Sequence, residues 1–162
     1  MRNCGLMRQP VSLPHTIVDL VAWVARPLGS EWATRVTNQA RSARVLDFSP
    51  THIHVESDST LPVLPIPDGP LPWWASVETD VQVLSEVMVW FHDGRLSQLE
   101  QPWYTDEPPS TWPLASQVTV MGPSRRVRED DFPEVVRWFR EHPVQGLPFW
   151  SDDARAPWGW ER

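Results

Sequence analysis

Two histidines and one glutamate alternate along a short segment of the chain, at His52, His54 and Glu56. Residues two apart in a β-strand lie on the same face of the sheet, so these three side chains would point in one direction. Two imidazoles and a carboxylate form a ligand set that first-row transition metals accept. Polar residues that alternate along a solvated strand give the same pattern, so both interpretations stay open. The spacing places no fourth ligand, for which the candidates are Asp58, His15, His92 and His142.

Tryptophan is unusually frequent, with 11 residues in a chain of 162. Tryptophan buries a large apolar area and often anchors protein interfaces. Those in proline-rich connections either fasten the loops to the domain or form a docking surface for a partner. The candidate partner-binding residues are therefore Trp73, Trp74, Trp112, Trp150, Trp158 and Trp160, together with the acidic pair Asp106 and Glu107.

Three carboxylates flank the only tyrosine of the chain: Glu100, Asp106 and Glu107 lie within four residues of Tyr104. Such a group could support acid–base chemistry, which needs geometry and shifted pKa values. It could equally be structural, because Asp106 can accept backbone N–H bonds in a turn. No lysine is present, which excludes Schiff-base chemistry and a P-loop lysine. We expect no cofactor and assign no catalytic residue.

The net charge is −7 and the isoelectric point is near 5.1. A nucleic-acid-binding protein usually carries a basic face, so nucleic acid is a disfavoured partner, whereas a basic protein is a favoured one.

The single cysteine, Cys4, excludes an internal disulfide. The longest apolar run, residues 17–25, is too short for a membrane span, and we expect no signal peptide, because residues 1–9 contain no apolar region behind a basic start. A cytoplasmic protein without a membrane partner is expected.

Local patterns predict the elements that would position these side chains. Residues 17–25 are apolar almost all round and predict a covered helix, capped by Ser12, with a short second helix at about 31–38. Two β-rich runs around residues 49–51 predict a hairpin that carries the histidines. A second hairpin is predicted over residues 81–103, because Asp93-Gly94 is the strongest short-range turn signal. Its return strand should contain a bulge near residues 97–98.

The sequence patterns of the other segments complete the prediction of the fold class. Residues 61–72 carry a proline at nearly every second or third position, which predicts an extended connection rather than an interior strand. Residues 118–120 predict a last strand, and Asp131 begins a capping pattern for a helix that ends near Glu141. We therefore predict an α+β fold: an antiparallel sheet of about four to six strands, packed by two main helices. The expected organisation is a flexible terminus at 1–10, one domain at 11–143, and a Pro/Trp-rich tail at 144–162.

Residues 93–100 (DGRLSQLE) and 103–109 (WYTDEPP) carry a resemblance to a known family. The segment from about 80 to 118 is similar to a group of small, uncharacterised, mainly actinobacterial proteins, which share a strand, this turn motif and a DEPP loop. Those proteins often have a cysteine-rich hairpin upstream. Residues 44–55 here contain no cysteine, so a metal role of such cysteines is not carried over. The resemblance implies the hairpin and the loop, and no activity.

These observations favour a non-enzymatic protein that binds another protein. The favoured example is a bacterial immunity-type protein that neutralises a basic toxin domain, because an acidic surface speeds the capture of a basic partner. The alternative is a metal-binding domain or metal-dependent enzyme that uses His52, His54 and Glu56.

Overall fold

The computed structural model describes residues 11–124 and 126–144. Within these residues, three α-helices and two antiparallel sheets confirm the α+β class. The helices are α1 (His15–Ala25), α2 (Ser30–Ser42) and α3 (Pro133–Glu141). The strands are β1 (Arg44–Phe48), β2 (His52–Glu56), β3 (Gly69–Pro70), β4 (Trp74–Glu78), β5 (Val83–Glu86), β6 (Met88–His92), β7 (Arg95–Glu100) and β8 (Thr119–Met121). No helix in this part of the chain is both long and apolar enough to cross a membrane.

The strands form a five-stranded sheet in the order β1-β2-β7-β6-β3 and a three-stranded sheet in the order β5-β4-β8. The five-stranded sheet lies within the predicted range of strand number. The second sheet is a correction, because the sequence predicted a single sheet and no strand over Trp74–Glu78. That strand pairs with β8, about 45 residues further along the chain. A pairing at this separation is decided by tertiary packing and leaves no local signal.

The predicted central hairpin is confirmed. Asp93 and Gly94 both have positive φ, 50° and 70°, as a two-residue type I′ turn requires. A Cβ atom at Gly94 would lie 2.2 Å from the carbonyl oxygen of Leu64, so only glycine fits there. Trp90 lies opposite Gln98 and Phe91 opposite Leu96, which leaves Ser97 as the extra residue of the predicted bulge.

The arms of this hairpin continue from one sheet into the other. The first arm is interrupted at Val87, whose N–H donates to the carbonyl of Ala75. β5 therefore belongs to the small sheet and β6 to the large one. The second arm runs past β7 to Trp103, which forms a bridge with Ser85 of β5. The hairpin thus joins the two sheets and carries residues 101–104 to the edge of β5.

The helices enclose the core. As predicted, α1 is covered on most sides, with Ile17, Val18, Leu20, Val21, Val24 and Ala25 all buried. The second predicted helix is longer than expected. It holds one fully buried polar side chain, Gln39, whose amide donates to Pro62 and accepts the N–H of Leu96 at 2.8 Å. This amide satisfies a carbonyl of the proline-rich connection and the N–H of a residue of β7 beside the bulge.

Both predicted helix caps are wrong. α1 has Pro14 at its N-cap position, and Ser12 instead bridges to Arg44 of β1. α3 has Phe132 at the N-cap and Pro133 in its first turn, with no side-chain cap bond. Proline suits the first helical turn because its φ is already helical and its missing N–H would have no intrahelical partner. This argument applies to Pro133 of α3, whereas in α1 the proline occupies the N-cap position, where its carbonyl accepts the N–H of Val18 at 3.1 Å.

Candidate functional site

The alternating histidines lie on β2 as predicted. The contacts of these histidines and of Glu56, however, differ from those of three residues that share one metal ion. The rings of His52 and His54 meet edge to face, with centroids 4.1 Å apart. Glu56 is occupied by Arg44, whose Nε donates to the carboxylate at 2.9 Å. The carboxylate nearest to His52 is that of Glu100 on β7, 3.9 Å from Nδ1. A metal role for His52, His54 and Glu56 stays a prediction.

The described tryptophans of the proline-rich connections fasten those connections to the domain. Trp73 and Trp74 are each 2% exposed, so neither can contribute to a docking surface on this fold. The indole N–H of Trp73 donates to the carbonyl of Val24 at 2.7 Å. Trp112 is half-buried and donates to the carbonyl of Ser49 at 2.7 Å. Trp150, Trp158 and Trp160 lie outside the described residues.

An exposed aromatic and acidic segment follows the hairpin. Trp103 and Tyr104 are 40% and 39% exposed. Asp106 and Glu107, which the sequence analysis singled out, are also exposed. We call residues 103–107 the aromatic–acidic edge. Its aromatic pair was missed as a partner-binding candidate, although its position between a hairpin arm and a proline-rich loop was a usable signal.

Backbone pairing holds this edge in place. The N–H of Glu86 donates to Pro102 at 2.9 Å, and the N–H of Tyr104 donates to Leu84 at 3.0 Å. The segment therefore lies as an extra antiparallel strand along the free side of β5. An edge strand is where proteins often meet partners, since its outer groups face solvent.

A buried carboxylate anchors the same segment from beneath. Glu86 is 1% exposed and accepts hydrogen bonds from the phenolic O–H of Tyr104 and from Ser124 Oγ, the latter at 3.0 Å. Arg126 approaches from the surface, with its Nε 3.7 Å from the same carboxylate. Buried charges need several partners of this kind. Glu86 therefore ties Tyr104 to Ser124 and Arg126, which lie at least 20 residues further along the chain.

The pKa shifts of Tyr104 and Arg126 keep both side chains protonated, so they act as hydrogen-bond donors rather than as bases. Burial, followed by the hydrogen bond to Glu86 and the charge of Glu86, raises the pKa of Tyr104 to about 12. The hydrogen bond to Tyr104 is the main cause that raises the pKa of Arg126 above its usual value. At neutral pH the phenol is protonated and the guanidinium is charged. Tyr104 is thus a fixed hydrogen-bond donor, and the arrangement suits binding better than proton abstraction.

A second cluster lies at the turn of the central hairpin, where the ligand atoms of Asp68, His92 and Asp93 lie within 4.8 Å of one another. Among the described residues it is the one set of three such side chains that could hold a metal ion. His92 was named by the sequence only as a possible extra ligand for β2, but it belongs to a different site.

Comparison with protein-family models, curated proteins and solved structures finds no match. The resemblance carried by residues 80–118 therefore stays a prediction.

Proposed function

We propose that this chain is a protein-binding protein that recognises a basic protein partner through the aromatic–acidic edge. The observation that carries the proposal is the exposure of Trp103 and Tyr104, at 40% and 39%, beside exposed Asp106 and Glu107. Tryptophan and tyrosine are enriched among the residues that dominate binding energy at interfaces.

The shape of the edge supports this role because the aromatic side chains sit on an ordered backbone. Tyr104 is held by a backbone bond to Leu84 and by its side-chain bond to Glu86. Its ring also stacks on the buried ring of Trp74, with centroids 6.4 Å apart. A preorganised aromatic surface loses little conformational entropy when a partner binds.

Charge supports a basic partner. The chain carries 21 acidic and 14 basic side chains, and the edge itself ends in two exposed carboxylates. Opposite charge accelerates encounter and fixes the orientation of docking. A bacterial immunity-type protein that captures a basic toxin domain fits this chemistry.

The proposal is tested by photo-crosslinking in the native cell. A benzophenone amino acid replaces Trp103, and in a matched control it replaces Phe48, an exposed aromatic of the edge strand β1. We expect a basic protein to be captured from position 103 and not from position 48. No captured protein, or the same capture from both positions, would contradict the proposal.

The alternative function, a metal domain built on His52, His54 and Glu56, has less support because Glu56 is engaged by Arg44. Elemental analysis of the purified protein tests it. Zinc, iron or manganese that is lost when both histidines become alanine, in a variant that keeps its fold, would restore this alternative.

A further inference from the structure

We propose that the turn between β6 and β7 binds a divalent transition-metal ion through Nε2 of His92 and the carboxylate of Asp93, with Asp68 as the residue that orients both. This site is separate from the aromatic–acidic edge and from the β2 histidines.

The distance between the two ligand atoms fits one ion. Nε2 of His92 lies 3.5 Å from Oδ2 of Asp93. Two ligands that each lie about 2.1 Å from a zinc ion at a tetrahedral angle are about 3.4 Å apart. The separation of these two atoms therefore matches that of two ligands on one ion.

Asp68 performs the orienting role seen around metal-bound histidines. Its Oδ2 lies 2.6 Å from Nδ1 of His92. In the tautomer that carries its proton on Nδ1, the imidazole donates a hydrogen bond to this carboxylate, and Nε2 holds the lone pair that binds a metal. Its other oxygen, Oδ1, accepts the backbone N–H of Asp93 at 2.7 Å. One carboxylate thus fixes both ligand residues, and this combination distinguishes the site from a simple group of surface acids.

The turn gives the two ligands a rigid frame. Asp93 and Gly94 occupy the positive-φ positions of the hairpin turn. The carbonyl of Gly94 accepts the N–H of Leu64 at 2.9 Å, which holds the turn against the proline-rich connection. All three side chains are exposed, so an ion reaches them from solvent and water fills its remaining coordination positions.

The nature of the donors selects the class of ion. One imidazole nitrogen and carboxylate oxygens suit zinc, cobalt or nickel better than magnesium or calcium, which take oxygen ligands alone. The net negative charge of the two aspartates adds attraction for a divalent cation.

Titration of the untagged full-length protein with Co²⁺, and then Zn²⁺ in competition, tests the proposal by calorimetry and by the visible absorption of bound cobalt. We expect one ion per chain. His92→Gln and Asp93→Asn should each weaken binding at least tenfold, and Asp68→Asn should weaken it by roughly 10–100-fold, as loss of an outer partner does. The matched control is His54→Gln, an exposed histidine on β2, which should bind as the wild type does.

Circular dichroism checks that each variant is folded. We expect all of them to fold, because the substituted side chains are exposed. Absence of binding to the wild type would overturn the proposal. So would wild-type affinity in folded His92→Gln, or loss of binding in His54→Gln alone, which would move the metal to β2. None of these results bears on the aromatic–acidic edge, whose test needs no metal.

Discussion

The phenolic O–H of Tyr104 donates a hydrogen bond to the carboxylate of Glu86, 18 residues earlier in the chain. One partner is half-exposed and the other is 1% exposed, so the bond connects the surface with the interior. It places an aromatic ring at the sheet edge in a fixed orientation. The binding role proposed for this edge depends on that placement.

Ultraviolet titration should show a high pKa for Tyr104 directly, because it is the only tyrosine in the chain. We expect the folded protein to ionise near pH 12, against about 10 in the unfolded chain. Since the folded pKa is the higher one, the stabilising effect is complete below pH 10 and is lost as the pH rises from 10 to 12. Glu86→Gln should lower the folded pKa toward 10 without reaching it, because burial remains. A folded-state pKa near 10 in the wild type would contradict the anchor.

Tyr104→Phe should lower the free energy of unfolding by about 1–3 kcal/mol, because the buried carboxylate of Glu86 loses one hydrogen-bond donor. The phenyl ring keeps its place on Trp74, so the decrease in the free energy of unfolding measures the contribution of the hydroxyl group. Urea denaturation followed by tryptophan fluorescence measures it. Leu114→Ala, a change at an exposed position, is the control and should stay within about 0.5 kcal/mol.

Gly94→Ala should destabilise the protein for two reasons, and only the first of them applies at a second glycine, Gly29. A residue other than glycine at positive φ costs about 1–3 kcal/mol, and at Gly94 the added Cβ also meets the Leu64 carbonyl at 2.2 Å. Gly29 has no atom within 4 Å of a built Cβ, so Gly29→Ala carries only the backbone cost of its own conformation, φ 90° and ψ 161°. Thermal unfolding of Gly94→Ala should show a loss of stability above the roughly 3 kcal/mol that backbone strain alone explains, and a smaller loss would refute the packed turn.

Gln39→Leu tests the buried amide that joins α2 to the large sheet. The substitution keeps most of the volume but leaves the N–H of Leu96 and the carbonyl of Pro62 without this partner. Each buried group left unsatisfied costs about 1–3 kcal/mol. Denaturation should therefore show a loss of at least about 2 kcal/mol, against almost none for the exposed neighbour in Asn38→Ala. Equal stability of the two variants would rule the amide out as a structural link.

The parts of the fold that are encoded locally could be predicted from sequence. The turn at Asp93-Gly94 requires positive φ at both positions, and few dipeptides accept it. The apolar run of α1 likewise specifies its burial. The small sheet could not be predicted, because β4 pairs with β8 across a long loop, and neither strand shows its partner in its own residues.

Less of the candidate site than of the fold could be predicted from the sequence. Trp73 and Trp74 follow a proline-rich stretch, and local sequence does not say whether such a stretch turns its aromatic residues inward. Glu86 was not singled out, since a lone glutamate in a strand usually faces solvent. Its importance depends on Tyr104 and Ser124, which only the folded chain brings to it.

The affinity of the crosslinked partner for the Trp103→Ala variant tests the central claim most directly. An interface anchor worth about 2 kcal/mol gives a roughly 30-fold loss of affinity. We therefore expect a loss of this size for Trp103→Ala and none for Phe48→Ala, and the affinity should fall as salt increases. Unchanged affinity in Trp103→Ala, with the fold intact, would contradict the claim that this edge is the binding surface.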